Sequence, residues 1–369
     1  MTTRRLAARR TGSTAAPVLL TAVLLTAVLL TGTTALAGCA GTASQADVKP
    51  EAGASQQDNS KAKVTFRYQS GASYGAIAPF ELATKLGYYE GTSVQIKSIG
   101  VSKSGPEDIQ AIAAGSNDIA WTNTAPIIHA DVSGLKIKAI VAAGTTLTKN
   151  LAGKTISIGG LLAKKSASIT SAKDLEGKKI SVNVRSAQAE YAIRKWAEAG
   201  GADPDKINYV VIAAPNEVQA VRQGLVDAAY SWTPGYNKAQ DDPAIKVVAT
   251  EGDMLGDFVT GGFGFSQDFL DKHAGAVREF VAGYVKAWNW AWAHPAELQQ
   301  KAASIIGDFN GNKSLAQYAY PFGSRPNALI EDKDIDFYID QLTRKGELKS
   351  GQVKATDFYT NAYNPYAKS

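Results

Sequence analysis

The chain has 369 residues, of which 45% are hydrophobic, 20% charged and 9% aromatic, a composition that excludes a mainly disordered or fibrous protein. The formal charge of +5 comes from 39 Lys and Arg against 34 Asp and Glu, but four Arg lie in the acid-free first 38 residues, and the remaining 35 against 34 give no electrostatic case for nucleic acid. One cysteine, Cys39, and three histidines exclude an internal disulfide and a thiolate or His-rich metal cluster, and no cofactor is expected. At about 150 residues per domain, the length suggests two domains.

In chain order, Arg4, Arg5, Arg9 and Arg10 precede an apolar stretch at 15–37 that ends in Leu36-Ala37-Gly38-Cys39. A positive start, an apolar middle and small residues before a cut form a secretory signal. The last four residues resemble the bacterial lipobox, which implies a signal peptide over 1–38 and a diacylglycerol on Cys39. An uncleaved membrane anchor is the alternative, since the stretch is long enough to span a bilayer. Thr3-Arg4-Arg5-Leu6 also hints at twin-arginine export. Residues 40–60 contain no aromatic residue and are expected to form a disordered tether of about 25 Å.

From residue 63 on, short β-branched runs alternate with helical stretches, as in parallel βαβ units. Strands are predicted at 64–68, 94–99, 118–121 and 136–142, with helices at 77–86, 107–114 and 125–133. The pattern then restarts, with strands at 155–158, 179–184, 208–212, 227–231 and 246–250, a helical turn at 171–175 and helices at 187–199 and 216–223. The remainder reads as helical at 268–273, 276–293, 295–306, 314–318 and 332–345. In open parallel sheets the ligand crevice lies beyond the carboxyl ends of the strands. The loops to inspect are therefore 69–74, 100–105, 122–125, 159–160, 185–188, 213–216 and 232–236.

Loop 69–75 offers the amide of Gln69, the hydroxyls of Ser70 and Ser73, and the phenol of Tyr74. Thr122-Asn123-Thr124 and Arg185-Ser186-Ala187-Gln188 each open a helix. Helix-start amides with hydroxyls, joined by a forked guanidinium, suit an anion, although each Ser, Thr or Asn also serves as a plain helix cap. Arg185 either meets an anionic head group or pairs with Glu190; Trp232 either walls a cleft or packs in the core. Trp288, Trp290 and Trp292 are expected to pack in a core, and His129, His273 and His294 have no catalytic partner by motif. Gly261-Gly262-Phe263-Gly264 matches neither G-x-G-x-x-G nor the P-loop.

Several segments carry a family likeness. They are Phe66-Arg67-Tyr68-Gln69, Gly87-Tyr88-Tyr89-Glu90, Ala114-Gly115-Ser116-Asn117-Asp118-Ile119, Asp174-Leu175-Glu176-Gly177-Lys178-Lys179-Ile180, Gly224-Leu225-Val226-Asp227-Ala228 and Trp232-Thr233-Pro234. On these, residues 64–349 resemble the solute-binding proteins of ABC importers for sulfonates, taurine, nitrate and thiamine precursors. The resemblance implies an α/β, type II periplasmic-binding fold of two lobes with two hinge crossings. Lobe 1 would comprise 61–147 and 257–369, and lobe 2 would comprise 148–256, with 261–264 in the second hinge region. It implies ligand contacts from Gln69, Ser70, Tyr74, Thr122, Asn123, Arg185, Ser186 and Trp232. Thr233 stands where many of those proteins carry an acid, which argues against recognition of a ligand ammonium. The expectation is a monomeric, lipid-anchored, non-enzymatic protein at the outer face of the cell membrane. It would deliver a small organic anion, an aliphatic sulfonate foremost, to a permease and its ATPase. Nitrate, an aromatic carboxylate and a thiamine or pyrimidine precursor are the alternative ligands, and an enzyme or sensor on the same fold is the alternative class.

Overall fold

A computed structural model describes residues 62–71, 77–214, 216–309 and 313–367. The expected signal peptide, Cys39, the tether and Tyr74 lie outside the described residues. The elements run β1 (Val64–Gly71), α1 (Pro79–Lys85), β2 (Val94–Ser102), α2 (Gly105–Ala113), β3 (Ala120–Thr122), α3 (Thr124–Val132) and β4 (Ile137–Thr145). They continue with β5 (Leu147–Lys149), β6 (Thr155–Ser157), β7 (Gly159–Lys164), β8 (Lys179–Val182), α4 (Gln188–Ala199), β9 (Asn208–Val211) and α5 (Glu217–Gln223). Next come β10 (Ala228–Trp232), α6 (Gly235–Gln240), β11 (Ile245–Thr250), α7 (Glu251–Leu255) and β12 (Val259–Ser266). The chain then forms α8 (Gln267–Lys272), α9 (Ala274–Ala293), α10 (Pro295–Phe309) and α11 (Asp332–Arg344).

Two mixed sheets organise these elements. In the first, β1 pairs with β2 in parallel, a single bridge from Tyr68 to Ile119 leads toward β3, and β12 runs antiparallel between β3 and β4. In the second, the order is β11-β7-β10-β8-β9, with β7 antiparallel to both of its neighbours. Each sheet thus contains one strand that runs against the parallel arrangement expected from the sequence. The two-stranded β5–β6 ladder lies where the chain passes from the first sheet to the second, and α7 with β12 returns it. Residues 261–264, expected in a hinge region, lie inside β12.

The helices follow from local chemistry and one apolar face each. Asn123 accepts the Ala125 amide at 3.2 Å and so caps α3, and α5 ends at Gly224, whose φ of 74° suits a residue without a Cβ. Under the first sheet, Phe66, Phe80, Phe263, Phe265 and Phe280 form one ring cluster, with Phe66 and Phe280 stacked at 4.9 Å. Burial of each such side chain contributes about 1.5–3 kcal/mol. Among the described residues, no helix is long and apolar enough to cross a membrane.

Candidate functional site

A cavity opens between the ends of the two sheets and encloses about 1030 Å³, its open mouth included. The first sheet contributes Thr122 at the end of β3, Gly144 on β4 and Gly261 on β12; the second contributes Trp232 at the end of β10. Three helices begin at its wall. Gly105 and Pro106 start α2, Asn123 caps α3, and Ala187 and Gln188 start α4. The aligned peptide dipoles make each such start favourable to negative charge, although Pro106 and Pro126 carry no N–H and the Ala125 amide is taken by Asn123. Among the described residues, none of those lining the cavity carries a formal charge, and the aromatic ones are Trp121, Trp232, Tyr318, Tyr320 and Phe322.

Glycine is required at two points of this wall. A Cβ on Gly105 would lie 2.1 Å from Thr122 Oγ1, so only glycine lets α2 start against β3. A Cβ on Gly159 would lie 2.7 Å from Trp232 Cδ1, so glycine makes room for that ring. Trp232 is held from behind as its Nε1 donates to Glu251 Oε1 at 3.1 Å. The same oxygen accepts from Gln188 Nε2 at 2.5 Å and Tyr230 OH at 2.6 Å. Glu251 is fully buried, and its Oε2 has no hydrogen-bond partner. Burial raises its pKa against those three donors. On the other side, buried Asp108 accepts the Trp121 amide at 3.1 Å, and burial pushes its carboxyl up to about 7.

The sequence candidates divide. Thr122, Asn123 and Trp232 line the cavity. Ser70 is buried at the end of β1, its hydroxyl 3.4 Å from the Phe309 carbonyl, and the Gln69 side-chain oxygen is buried without a partner; neither residue lines the cavity. Arg185 and Ser186 are also absent from the wall. Arg185 Nε donates to the fully buried Glu190 at 2.7 Å, the partner that the sequence offered as its other role. Burial alone would push Glu190 up, but Arg185, the Ser186 amide and Lys345 together hold it below its ordinary value. Ser186 sits at φ 52° and bonds Glu347 and Lys345 beyond α11.

The inspected loops after β2, β3, β8 and β10 do reach the wall, through Gly105, Thr122 with Asn123, Ala187 with Gln188, and Trp232 with Thr233. Sequence reasoning missed the stretch 318–322. Its sequence signal was faint, three aromatic residues alternating with Ala and Pro in an irregular segment. Among the described residues, no group of three or more His, Cys, Asp or Glu is placed to hold a metal ion.

A family model described as NMT1/THI5 like matches residues 75–298. A taurine-binding periplasmic protein of Escherichia coli is 24% identical over 192 residues, which are 52% of this chain and 56% of that protein. The chain thus spans about half the length of that curated relative. Among solved structures, the periplasmic aliphatic sulphonate binding protein SsuA from Escherichia coli superposes with a TM-score of 0.59 at 18% identity, over 81% of this chain and 98% of that one. A desulfurization enzyme, DSZB, superposes with a TM-score of 0.54 at 14% identity, over 80% of this chain and 96% of that one. At these identities the structural likeness is one of fold, and the fold hosts both binders and a catalyst.

Proposed function

Since this chain belongs to the NMT1/THI5-like family, we propose that it captures a small organic anion between its two sheets and delivers it to an ABC permease. One observation carries the proposal: three helix starts, at Gly105, Asn123 and Ala187, meet at one cavity walled by both sheets. Their dipoles supply positive potential, with no lysine or arginine among the described residues of the wall. A ligand that touches both sheets stabilises the arrangement in which they close on it, and closure is what a permease can sense.

The head group proposed is a sulfonate, as the names of relatives suggest for their own ligands. Thr122, Asn123 and Trp232 are the sequence candidates retained as contacts, joined by Gln188 and Thr233. Turnover is not expected, since the described residues of the wall offer no carboxylate pair and no histidine as general acid or base. The protein is proposed to be exported, cut before Cys39 and held at the outer membrane face as a lipid-anchored monomer, with lobes bounded at 61–147, 148–256 and 257–369.

Thermal shift of the purified chain against organic anions and cations tests the central claim. A ligand at 100 times its dissociation constant adds about 2.7 kcal/mol of stability. A rise in Tm with sulfonates is expected. A rise with cations alone overturns the anion reading, and conversion of a bound ligand to product overturns the binding-protein reading.

A further inference from the structure

We infer that the anion held in the cavity has an aromatic body, so that its substrate class is the arylsulfonates or arylcarboxylates rather than small inorganic anions or alkanesulfonates. This rests on the anion reading above and adds to it what the rest of the ligand is.

Among the described residues the wall carries five aromatic residues from three separate stretches of chain: Trp121 from the first sheet, Trp232 from the second, and Tyr318, Tyr320 and Phe322 from the segment after α10. Three of the rings are fixed from behind. Trp121 packs on Phe263 at 5.2 Å, Trp232 on Tyr230 at 4.7 Å with its indole N–H on Glu251, and Phe322 on Trp288 at 5.8 Å. Fixed rings present flat faces and edges at set positions, and they lose little freedom when a ligand arrives. An aryl ring gains offset-stacked or edge-to-face contacts from such faces that a flexible alkyl chain does not.

Aromatic walls also attract cations. Here the remaining polar groups argue otherwise. Among the described residues the lining holds no carboxylate to pair with a cation, and three helix starts put positive potential at the cavity. The head group therefore belongs at the amides and hydroxyls around Asn123, Thr122 and Gln188, and the body belongs among the rings.

The test is calorimetric titration of the full chain, purified in mild detergent. The probes are naphthalene-2-sulfonate, 2-naphthoate, hexanesulfonate, naphthalene-2-sulfonamide and choline. The expected result is at least tenfold tighter binding of one of the aryl anions than of hexanesulfonate. The same preference, read as the ratio of aryl-anion to hexanesulfonate affinity, should fall at least tenfold in Trp232→Leu. Should Trp232→Leu fail to fold, Tyr318→Leu, on a separate segment of the wall, supplies the same readout. Hexanesulfonate binding as tightly as the aryl anions overturns the aromatic body and leaves the anion reading intact. Binding of the sulfonamide alone overturns the anion reading and keeps the aromatic body. Binding of choline alone, or of no probe, overturns both.

Discussion

Asn123 joins two roles that substitution can separate. Its side chain caps α3, and it lines the cavity. Asn123→Ala removes the cap, and loss of a cap costs about 0.5–2 kcal/mol, so Tm is expected to fall by a few degrees. Asn123→Asp keeps an acceptor for the Ala125 amide and adds a carboxylate to the wall. Its Tm is expected to stay near that of the parent, while anion affinity drops at least tenfold in calorimetry. An unchanged affinity in Asn123→Asp would place the head group away from α3. Arg185 makes the opposite case. Its guanidinium is half-exposed and engages a Glu190 that is fully buried, so Arg185→Ala leaves that carboxylate with the Ser186 amide at 2.8 Å and a Lys345 ammonium at 3.7 Å. Removing a hydrogen bond to a charged group costs about 1.5–3 kcal/mol. We therefore expect Arg185→Ala to lower Tm with ligand affinity changed less than twofold; a large loss of affinity at unchanged Tm would return Arg185 to the site.

The elements that carry the cavity depend on close backbone approach. Gly105→Ala puts a methyl group onto Thr122 Oγ1 and is expected to move the start of α2 off β3, weakening ligand binding about tenfold. Parent-like affinity in Gly105→Ala, read by calorimetry, would separate α2 from the head-group site. Close approach also explains what the sequence could and could not show. Strands with β-branched runs, such as those at 64–68, 94–99 and 246–250, were legible, as were helices closed by Gly87 and Gly224. The antiparallel strands β7 and β12 were not, because glycine weakens a strand signal and reads as a turn or hinge. In the fold those glycines are needed for packing: a Cβ on Gly160 would meet the Ala249 carbonyl at 2.5 Å, and one on Gly261 the Thr122 carbonyl at 2.5 Å. Loop positions after strands followed from topology, and Thr122, Asn123 and Trp232 followed with them. The direction of Arg185 did not, since a charge pattern offers both a ligand and Glu190. The rings at 318–322 return to the cavity through tertiary folding alone, which no local spacing encodes.

Buried acids on α1, α2 and α5 couple the whole molecule to pH. Burial pushes Glu81, Asp108 and Glu217 each up to about 7, from ordinary values of 4.5, 3.8 and 4.5. Between about pH 4 and pH 7 the folded chain therefore binds more protons than the unfolded one, and stability falls as pH rises through that window. The stabilisation is fully present below the ordinary carboxyl range and is lost as these groups ionise near 7. Opposed to it at the acid end are Asp174 and Glu176, held down to about 2 by hydrogen bonds and by Lys173. Tm should thus be higher near pH 5.5 than at pH 8. Asp108→Asn, which removes one ionisation while keeping an acceptor for the Trp121 amide, should flatten that slope. Asp108 also bears on binding, because its charge forms one residue behind the cavity wall. When it ionises, it opposes an anion held at the starts of α2 and α3, and a bound anion in turn raises its pKa. Affinity for an organic anion should accordingly weaken as pH rises from 6 to 8, and Asp108→Asn should reduce that dependence. Calorimetry of the two chains across this range checks both. An affinity independent of pH in the parent chain would overturn the coupling of Asp108 to the ligand.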